Sequence, residues 1–152
     1  MIRLKRAYLP PAKSDGIRVL VERLWPRGLR KADAHLDTWM KEVAPSDELR
    51  RWFGHDPDRF DEFRERYRRE LRTGAARTAL DELARLAARR GVTLVYSAHD
   101  EAHNNAVVLA SELERMLGRA RHRPRTRART PPASRGHRPR GRPDKRSTSA
   151  TR

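Results

Sequence analysis

The feature that most constrains the fold is a run of consecutive apolar residues near the start of the chain. Residues 19–21 read Val-Leu-Val within the segment 17–24, and such a run is typical of a central strand covered on both faces. Pro26 cannot donate a hydrogen bond to a neighbouring strand, so we expect the strand to reach about Leu24 and then turn. The sequence therefore predicts a sheet with a buried central strand.

The other periodic segments predict two further strands and four helices. The strands are the alternating segment 2–8 and the apolar segment 92–96; the helices begin near Ser46, Asp56, Ala76 and Ala106, and the last ends before Gly118. Residues 25–45 are expected to be mostly irregular. Helices between strands, and a strand–loop–helix ending, favour an α/β domain with a small, mainly parallel sheet flanked by helices.

Basic residues are concentrated in the C-terminal part of the chain. Residues 119–152 contain 13 Lys and Arg against the single Asp144, whereas residues 1–118 contain 23 Lys and Arg against 19 acidic residues. Apolar residues nearly vanish after residue 118, and such a segment has little to bury. We therefore predict one domain over residues 1–118 and a disordered, basic Arg/Pro-rich tail over residues 119–152.

Several chemistries lack sequence support. The chain has no cysteine, which excludes disulfides, thiolate metal sites, iron–sulfur clusters and cysteine nucleophiles. It has no Walker loop, no Gly-x-Gly-x-x-Gly and no Gly-x-Ser-x-Gly, so no cofactor is expected. No segment is apolar enough for a membrane span or a signal peptide, so we expect a cytoplasmic protein without a membrane partner.

Four blocks of sequence resemble, in the same order, the YeaO-like branch of the domain-of-unknown-function family 488 (DUF488). The first block is RVLVERLWPRG at 18–28, and the second is WMKEVAPS at 39–46. The third joins LRRWFGH at 49–55 with FRERY at 63–67, and the last is TLVYSAHDEAHNNAVVL at 93–109. The resemblance covers residues 1 to about 117 and does not extend into the tail.

What the resemblance implies concerns the fold more than the chemistry. It carries no catalytic residue over to this chain. A related branch is distantly similar to rhodanese-type α/β domains, so a rhodanese-like arrangement is one form that the fold could take. That branch has a cysteine near the end of its last strand, where this chain has Tyr96 and Ser97. Sulfur transfer and cysteine-phosphatase chemistry are therefore unsupported.

Two predicted strand ends carry the candidate binding site, because ligands of parallel α/β sheets collect at the carboxyl ends of the strands. Arginine forks and the N–H groups of a helix N-terminus suit an anion, and a glycine allows close approach of the backbone. The predicted ligand-binding residues are Arg23, Trp25, Arg27, Gly28, Ser97, His99, Asn104 and Asn105. The alternative is that Arg23 pairs with Glu22, Glu42 or another acid and that Trp25 only packs.

The segment 97–105 has further interpretations. His99 and Asp100 are the candidates for acid/base catalysis, because imidazole titrates near neutrality. His99 and His103 are spaced like two zinc ligands on a helix, but no third ligand is apparent, so no metal is expected. Asp100 is expected to cap the last helix. Asn104 and Asn105 either cap and tether the backbone or recognise a ligand through their amides.

These observations predict a small cytoplasmic protein that binds a small anionic or phosphorylated ligand, and they leave turnover of that ligand open. The alternative is a nucleic-acid-associated accessory protein whose basic tail neutralises phosphates. The tail residues proposed for that contact are Arg121, Arg123, Arg125, Arg127 and Arg129. A third possibility is a plain interaction module, which would have an exposed apolar patch and no cleft near Trp25.

Overall fold

The chain folds around a four-stranded sheet in a computed structural model, which describes residues 1–122. The strands are β1 (Ile2–Arg6), β2 (Ile17–Leu20), β3 (Thr38–Trp39) and β4 (Val92–Tyr96). Their order across the sheet is β1-β4-β2-β3, and all three neighbouring pairs are parallel. The predicted α/β class with parallel pairing is confirmed, and β4 lies between β1 and β2.

Five helices accompany the sheet. They are α1 (Lys31–Ala34), α2 (Asp47–Phe53), α3 (Phe60–Glu70), α4 (Gly74–Arg89) and α5 (Asn105–His122). Short 3-10 turns occupy residues 13–15, 41–43 and 57–59. The four predicted helices correspond to α2 through α5, and the region 25–45 contains only α1, the two-residue β3 and a turn.

The ends of α2 and the start of α3 show why the chain breaks where it does. Ser46 caps α2, because its hydroxyl accepts a hydrogen bond from the Leu49 N–H at 3.2 Å. Gly54 ends the same helix in the left-handed conformation, with φ of 53°. The Asp56 carboxylate then accepts the Asp58 N–H at 3.0 Å, which starts the turn that leads into α3.

The two faces of the sheet are covered differently. Val19 and Val21 of the second strand region belong to the main core, which they share with apolar residues of α2, α3, α4 and α5. Leu20 points the opposite way and packs with Ala7 and Val95. That second face is covered by Trp25, Leu29 and Leu36 of the irregular segments and by Trp39 of β3. The central strand is therefore buried on both sides, as the sequence predicts.

A buried charge cluster lies beside the second face. The Asp15 carboxylate is 4% exposed and bonds Arg18 Nη1 at 2.6 Å and Lys5 Nζ at 3.0 Å. Burial alone would raise the pKa of Asp15, but the bonds from the Ala12 N–H, Lys5 and Arg18 outweigh it and lower that pKa to about 2. The cluster holds the turn before β2 against the sheet.

Two predicted boundaries are wrong. The second strand ends at Leu20 instead of about Leu24, because β3 offers only two residues for pairing and the ladder with β4 stops at Val95. The last helix continues through Gly118 to His122, so residues 119–122 are helical and not tail. The basic side chains of that last turn interact favourably with the negative end of the helix dipole. This interaction offsets the weak helix propensity of glycine.

The predicted tail otherwise lies outside the described residues, and so do Arg123, Arg125, Arg127 and Arg129. Arg121 is exposed in the last turn of α5. Between residues 1 and 122, none of the helices combines the length and the apolar character that a membrane span requires.

Candidate functional site

The chain after β2 and the chain after β4 meet at the carboxyl edge of the sheet. Because β2 and β4 are parallel neighbours, residues 22–27 and 97–105 face one another across a cavity of about 420 Å³. The cavity is large enough for a small-molecule ligand. Its lining includes seven predicted ligand residues: Arg23, Trp25, Arg27, Ser97, His99, Asn104 and Asn105. Gly28 and Asp100 do not line it.

Glu22 is the one acidic residue of the lining, and sequence reasoning missed it as a site residue. Its carboxylate accepts a hydrogen bond from the Ser97 N–H at 3.1 Å. Burial raises the pKa of Glu22, and the hydrogen bonds from Ser97 and the charge of Arg50 oppose that rise. Glu22 therefore brings to the cavity a carboxyl group that is more easily protonated than usual.

Arg23 is held by backbone and not by an acid. Its Nε donates to the Pro45 carbonyl at 3.0 Å, and its Nη2 donates to the Ala44 carbonyl at 3.1 Å. Ala44 and Pro45 form part of the cavity wall, so the guanidinium fixes that wall in place. The predicted alternative, an ion pair of Arg23 with Glu22 or Glu42, does not occur among the described residues.

Arg27 stands at the mouth of the cavity. Its backbone carbonyl accepts the Tyr8 hydroxyl at 2.8 Å, whereas its exposed side chain has no hydrogen-bond partner within residues 1–122. Trp25 packs edge-on against Trp39, with ring centroids 5.4 Å apart, and donates its indole N–H to the Leu29 carbonyl. Gly28 has φ of 72° and so makes the tight turn possible without touching the cavity.

His99 and Asp100 have distinct surroundings. His99 Nδ1 lies 3.3 Å from Arg6 Nη2; because a guanidinium only donates, Nδ1 accepts and a neutral His99 carries its proton on Nε2. Asp100 bonds His103 Nδ1 at 2.9 Å and accepts the N–H groups of Ala102 and His103. These bonds, that of His103 first, lower the pKa of Asp100. Asp100 thus caps a turn before α5, not α5 itself.

His99 and His103 therefore have different partners, Arg6 and Asp100 respectively. No group of three or more His, Asp or Glu side chains within residues 1–122 is close enough to hold a metal ion.

The two asparagines hold the backbone around the cavity. The side-chain oxygen Oδ1 of Asn104 accepts the Val107 N–H at 3.0 Å, which makes Asn104 the cap of α5. The side-chain nitrogen Nδ2 of Asn104 donates to the backbone carbonyl of Asp100 at 2.9 Å. Asn105 donates to the Val21 carbonyl at 2.7 Å and so ties α5 to the chain after β2. Both asparagines therefore tether the backbone, as one of the two interpretations predicts. Asn105 Oδ1 accepts no hydrogen bond from a protein donor within residues 1–122.

The far wall comes from α2 and α3, which sequence reasoning did not connect with the site. Phe53 and Phe63 stack with centroids 4.2 Å apart and give this wall an apolar surface. Arg50 lines the same wall, and its Nε is buried without a hydrogen-bond partner among residues 1–122. His55 also lines the cavity and has φ of 57°, an uncommon conformation for a residue with a side chain.

A signal for part of this wall exists in the sequence. Gly54 ends α2 and Asp56 begins the next turn, so His55 is confined to a tight connection between two helices. No sequence pattern indicates that this connection reaches the carboxyl edge of the sheet, because that depends on how α2 packs.

The family to which this fold and site belong is shown by comparison. The family model described as the inactive DUF488-N3 subclade matches residues 1–133, and the chain therefore belongs to the DUF488 family. The resemblance inferred from the four sequence blocks is confirmed.

Individual relatives agree with this assignment. An uncharacterised protein of Mycobacterium tuberculosis is 47% identical over 112 residues, which are 74% of this chain and 92% of the relative. The uncharacterised protein YeaO of Escherichia coli is 45% identical over 112 residues, which are 74% of this chain and 96% of YeaO. No solved structure matches the chain significantly.

Proposed function

We propose that the cavity binds a small anionic ligand, with a phosphate or carboxylate group. The observation that carries the proposal is that Arg27, Arg50, His55 and His99 line one cavity, to which the described residues contribute a single acid, Glu22. Arginine offers a planar fork that matches both kinds of anion. Arg27 is exposed and has no hydrogen-bond partner within residues 1–122, and the guanidinium of Arg50 makes one long bond, from Nη2 to Asp47 at 3.5 Å. Both side chains therefore keep donors for an anion.

Glu22 adds a second requirement for the ligand. A carboxyl group that receives the Ser97 N–H on one oxygen has capacity left to accept a donor from the ligand. The stacked rings of Phe53 and Phe63 add an apolar surface to the same lining. A ligand that carries both an anionic group and an N–H or O–H group fits these three features.

Binding without catalysis is the form of the proposal that we favour. The description of the matching family model as inactive supports this choice. Asp100, a sequence candidate for acid/base work, is engaged by His103 and does not line the cavity. The cysteine-free composition is consistent with a cytoplasmic location, which we include in the proposal.

A thermal-shift experiment on the full chain tests the proposal. The probes are inorganic phosphate, citrate and adenosine monophosphate at low ionic strength, because a ligand that binds the folded state raises Tm. We expect at least one probe to raise Tm in the wild type and to lose that effect in Arg27→Gln and Arg50→Gln. The matched control is Arg51→Gln, which removes the same charge from an exposed neighbour outside the cavity.

Two outcomes would reject the proposal. One is that no probe shifts Tm in the wild type. The other is that a shift survives unchanged in both cavity variants, since the anion would then bind elsewhere on this basic protein.

A further inference from the structure

A second concave surface lies on the helical side of the domain. The end of α3, the start of α4 and the last turns of α5 enclose a groove of about 490 Å³. Five arginines line this groove: Arg68, Arg72, Arg77, Arg115 and Arg119. Glu112 is the single acidic residue of its lining. We call this surface the arginine groove.

The charges of the arginine groove are only partly neutralised by the protein. Glu112 bonds both Arg68 Nε, at 2.8 Å, and Arg115 Nη2, at 2.9 Å, and Arg68 also pairs with Glu65 at 3.6 Å. Arg77 bonds Asp81 at 3.0 Å. Arg72 and Arg119 are exposed and have no carboxylate partner within residues 1–122. The groove therefore keeps a surplus of positive charge and unused donors.

The arginine groove is continuous with the basic end of the chain. Arg119 lines the groove from the last turn of α5, and Arg121 follows on the same exposed helix end. Beyond His122 the sequence contains 11 more Lys and Arg and only one acid, Asp144. The chain thus leaves the folded domain at the basic groove and carries further positive charge from that point.

We propose that the arginine groove binds the phosphodiester backbone of a nucleic acid. Arginine forks set along a groove suit a row of phosphates, and such contacts are independent of base sequence. An anionic membrane surface is less well matched, because peripheral binding also uses apolar side chains. The exposed large apolar residues of the described chain lie elsewhere, at Met1, Leu4, Tyr8, Leu9 and Leu24.

Fluorescence anisotropy with a labelled short duplex DNA tests this proposal on the full-length chain. The test variant is the double substitution Arg72→Gln with Arg119→Gln. The control is Arg3→Gln with Arg51→Gln, which removes the same charge from exposed positions outside the groove. We expect the groove variant to bind about tenfold more weakly and to lower the slope of log K against log salt by about 2, since two phosphate contacts are lost.

The control pair separates contact from overall charge, and it should change the affinity much less than the groove pair. Equal affinity and equal slope in the two double variants would overturn the proposal, because the basic segment alone would then account for binding. Single-stranded DNA in a second arm tells which backbone is preferred. Binding to phosphatidylserine vesicles with the same dependence on Arg72 and Arg119, without binding to either DNA, would also overturn it.

Discussion

The Glu22 carboxylate accepts the backbone N–H of Ser97 at 3.1 Å and so links the chain leaving β2 to the chain leaving β4. The same side chain is partly buried, and this burial raises the pKa of its carboxyl group. A single side chain thus joins the two segments and supplies the one acid that the described residues bring to the cavity lining. How Glu22 titrates therefore affects both the stability of the domain and the ligands that the cavity accepts.

Replacing Glu22 with Gln is expected to change how stability depends on pH. The folded state favours the protonated carboxyl, so the wild type loses stability as pH rises from the ordinary glutamate pKa of 4.5 through the raised pKa of the folded state. Gln keeps an oxygen for the Ser97 N–H and does not titrate. Glu22→Gln should therefore gain stability relative to the wild type as pH rises over that range, measured by urea unfolding at several pH values.

The matched control for this experiment is Glu48→Gln, an exposed position on α2. Its difference from the wild type should stay small and flat across the same pH range. A Glu22→Gln profile parallel to that of the wild type would show that the carboxyl group is not held in a protonation-sensitive environment.

Asp15→Asn is expected to destabilise the domain by about 3 kcal/mol, because it leaves the buried guanidinium of Arg18 without its charge partner. Asp33→Asn breaks the exposed pair with Arg30 and should change stability by less than about 0.5 kcal/mol. Denaturant midpoints with an unchanged m-value measure both effects. Similar losses in the two variants would contradict a special role for the buried cluster.

Lowering the pH should reduce the contribution of Asp15 to the stability of the domain. Its folded pKa of about 2 lies below the ordinary aspartate pKa of 3.8, so its contribution is fully present above pH 3.8 and is lost as pH falls through 2. The loss amounts to about 2 kcal/mol, since one pKa unit corresponds to about 1.4 kcal/mol. The stability difference between the wild type and Asp15→Asn should shrink over this range, and a constant difference would argue against linkage.

Gly16 and Gly28 provide a matched pair for backbone tests. Both have positive φ, of 62° and 72°, but a Cβ at Gly16 would overlap the Gly91 carbonyl group, whereas a Cβ at Gly28 meets nothing within 4 Å. Gly28→Ala should therefore cost about 1 kcal/mol from backbone strain alone, and Gly16→Ala considerably more. Thermal unfolding of both variants measures the difference, and equal losses would mean that Gly91 moves aside freely.

Asn104 allows capping to be separated from ligand recognition. Asn104→Ala removes the acceptor for the Val107 N–H and should destabilise the domain by about 1 kcal/mol, whereas Asn104→Ser keeps a capping oxygen and adds no charge to the cavity lining. If Asn104 only caps, the Tm rise caused by a bound anion should persist in the Ser variant. Loss of that rise, with stability retained, would assign the amide to the ligand.

The sequence predicts the elements of this fold better than their extents. The apolar run at 19–21, the Ser46 cap and the stop at Gly54 are local signals, and each has the predicted role. The length of β2 is not a local property, because it depends on how much of β3 and β4 is available for pairing. The helix stop at Gly118 fails because a glycine near a basic helix end weakens the helix without ending it.

The candidate site also combines residues that local sequence signals predict with residues that only tertiary packing brings there. Residues adjacent to strand ends, such as Trp25 and Ser97, can be placed at the cavity from the rule for parallel sheets. Glu22 was considered only as a partner for Arg23, because its turn towards Ser97 depends on where β2 ends. Arg50 and His55 arrive through the packing of α2, a tertiary contact that no local pattern encodes.

The position of β4 in the sheet has a consequence for biosynthesis. β1 has no neighbour except β4, and β2 has only the two-residue β3 until β4 is made. During synthesis, β1 is therefore made some ninety residues before β4, the strand with which it pairs. Chains interrupted before that point expose unpaired strand edges, which makes them substrates for chaperones and proteases.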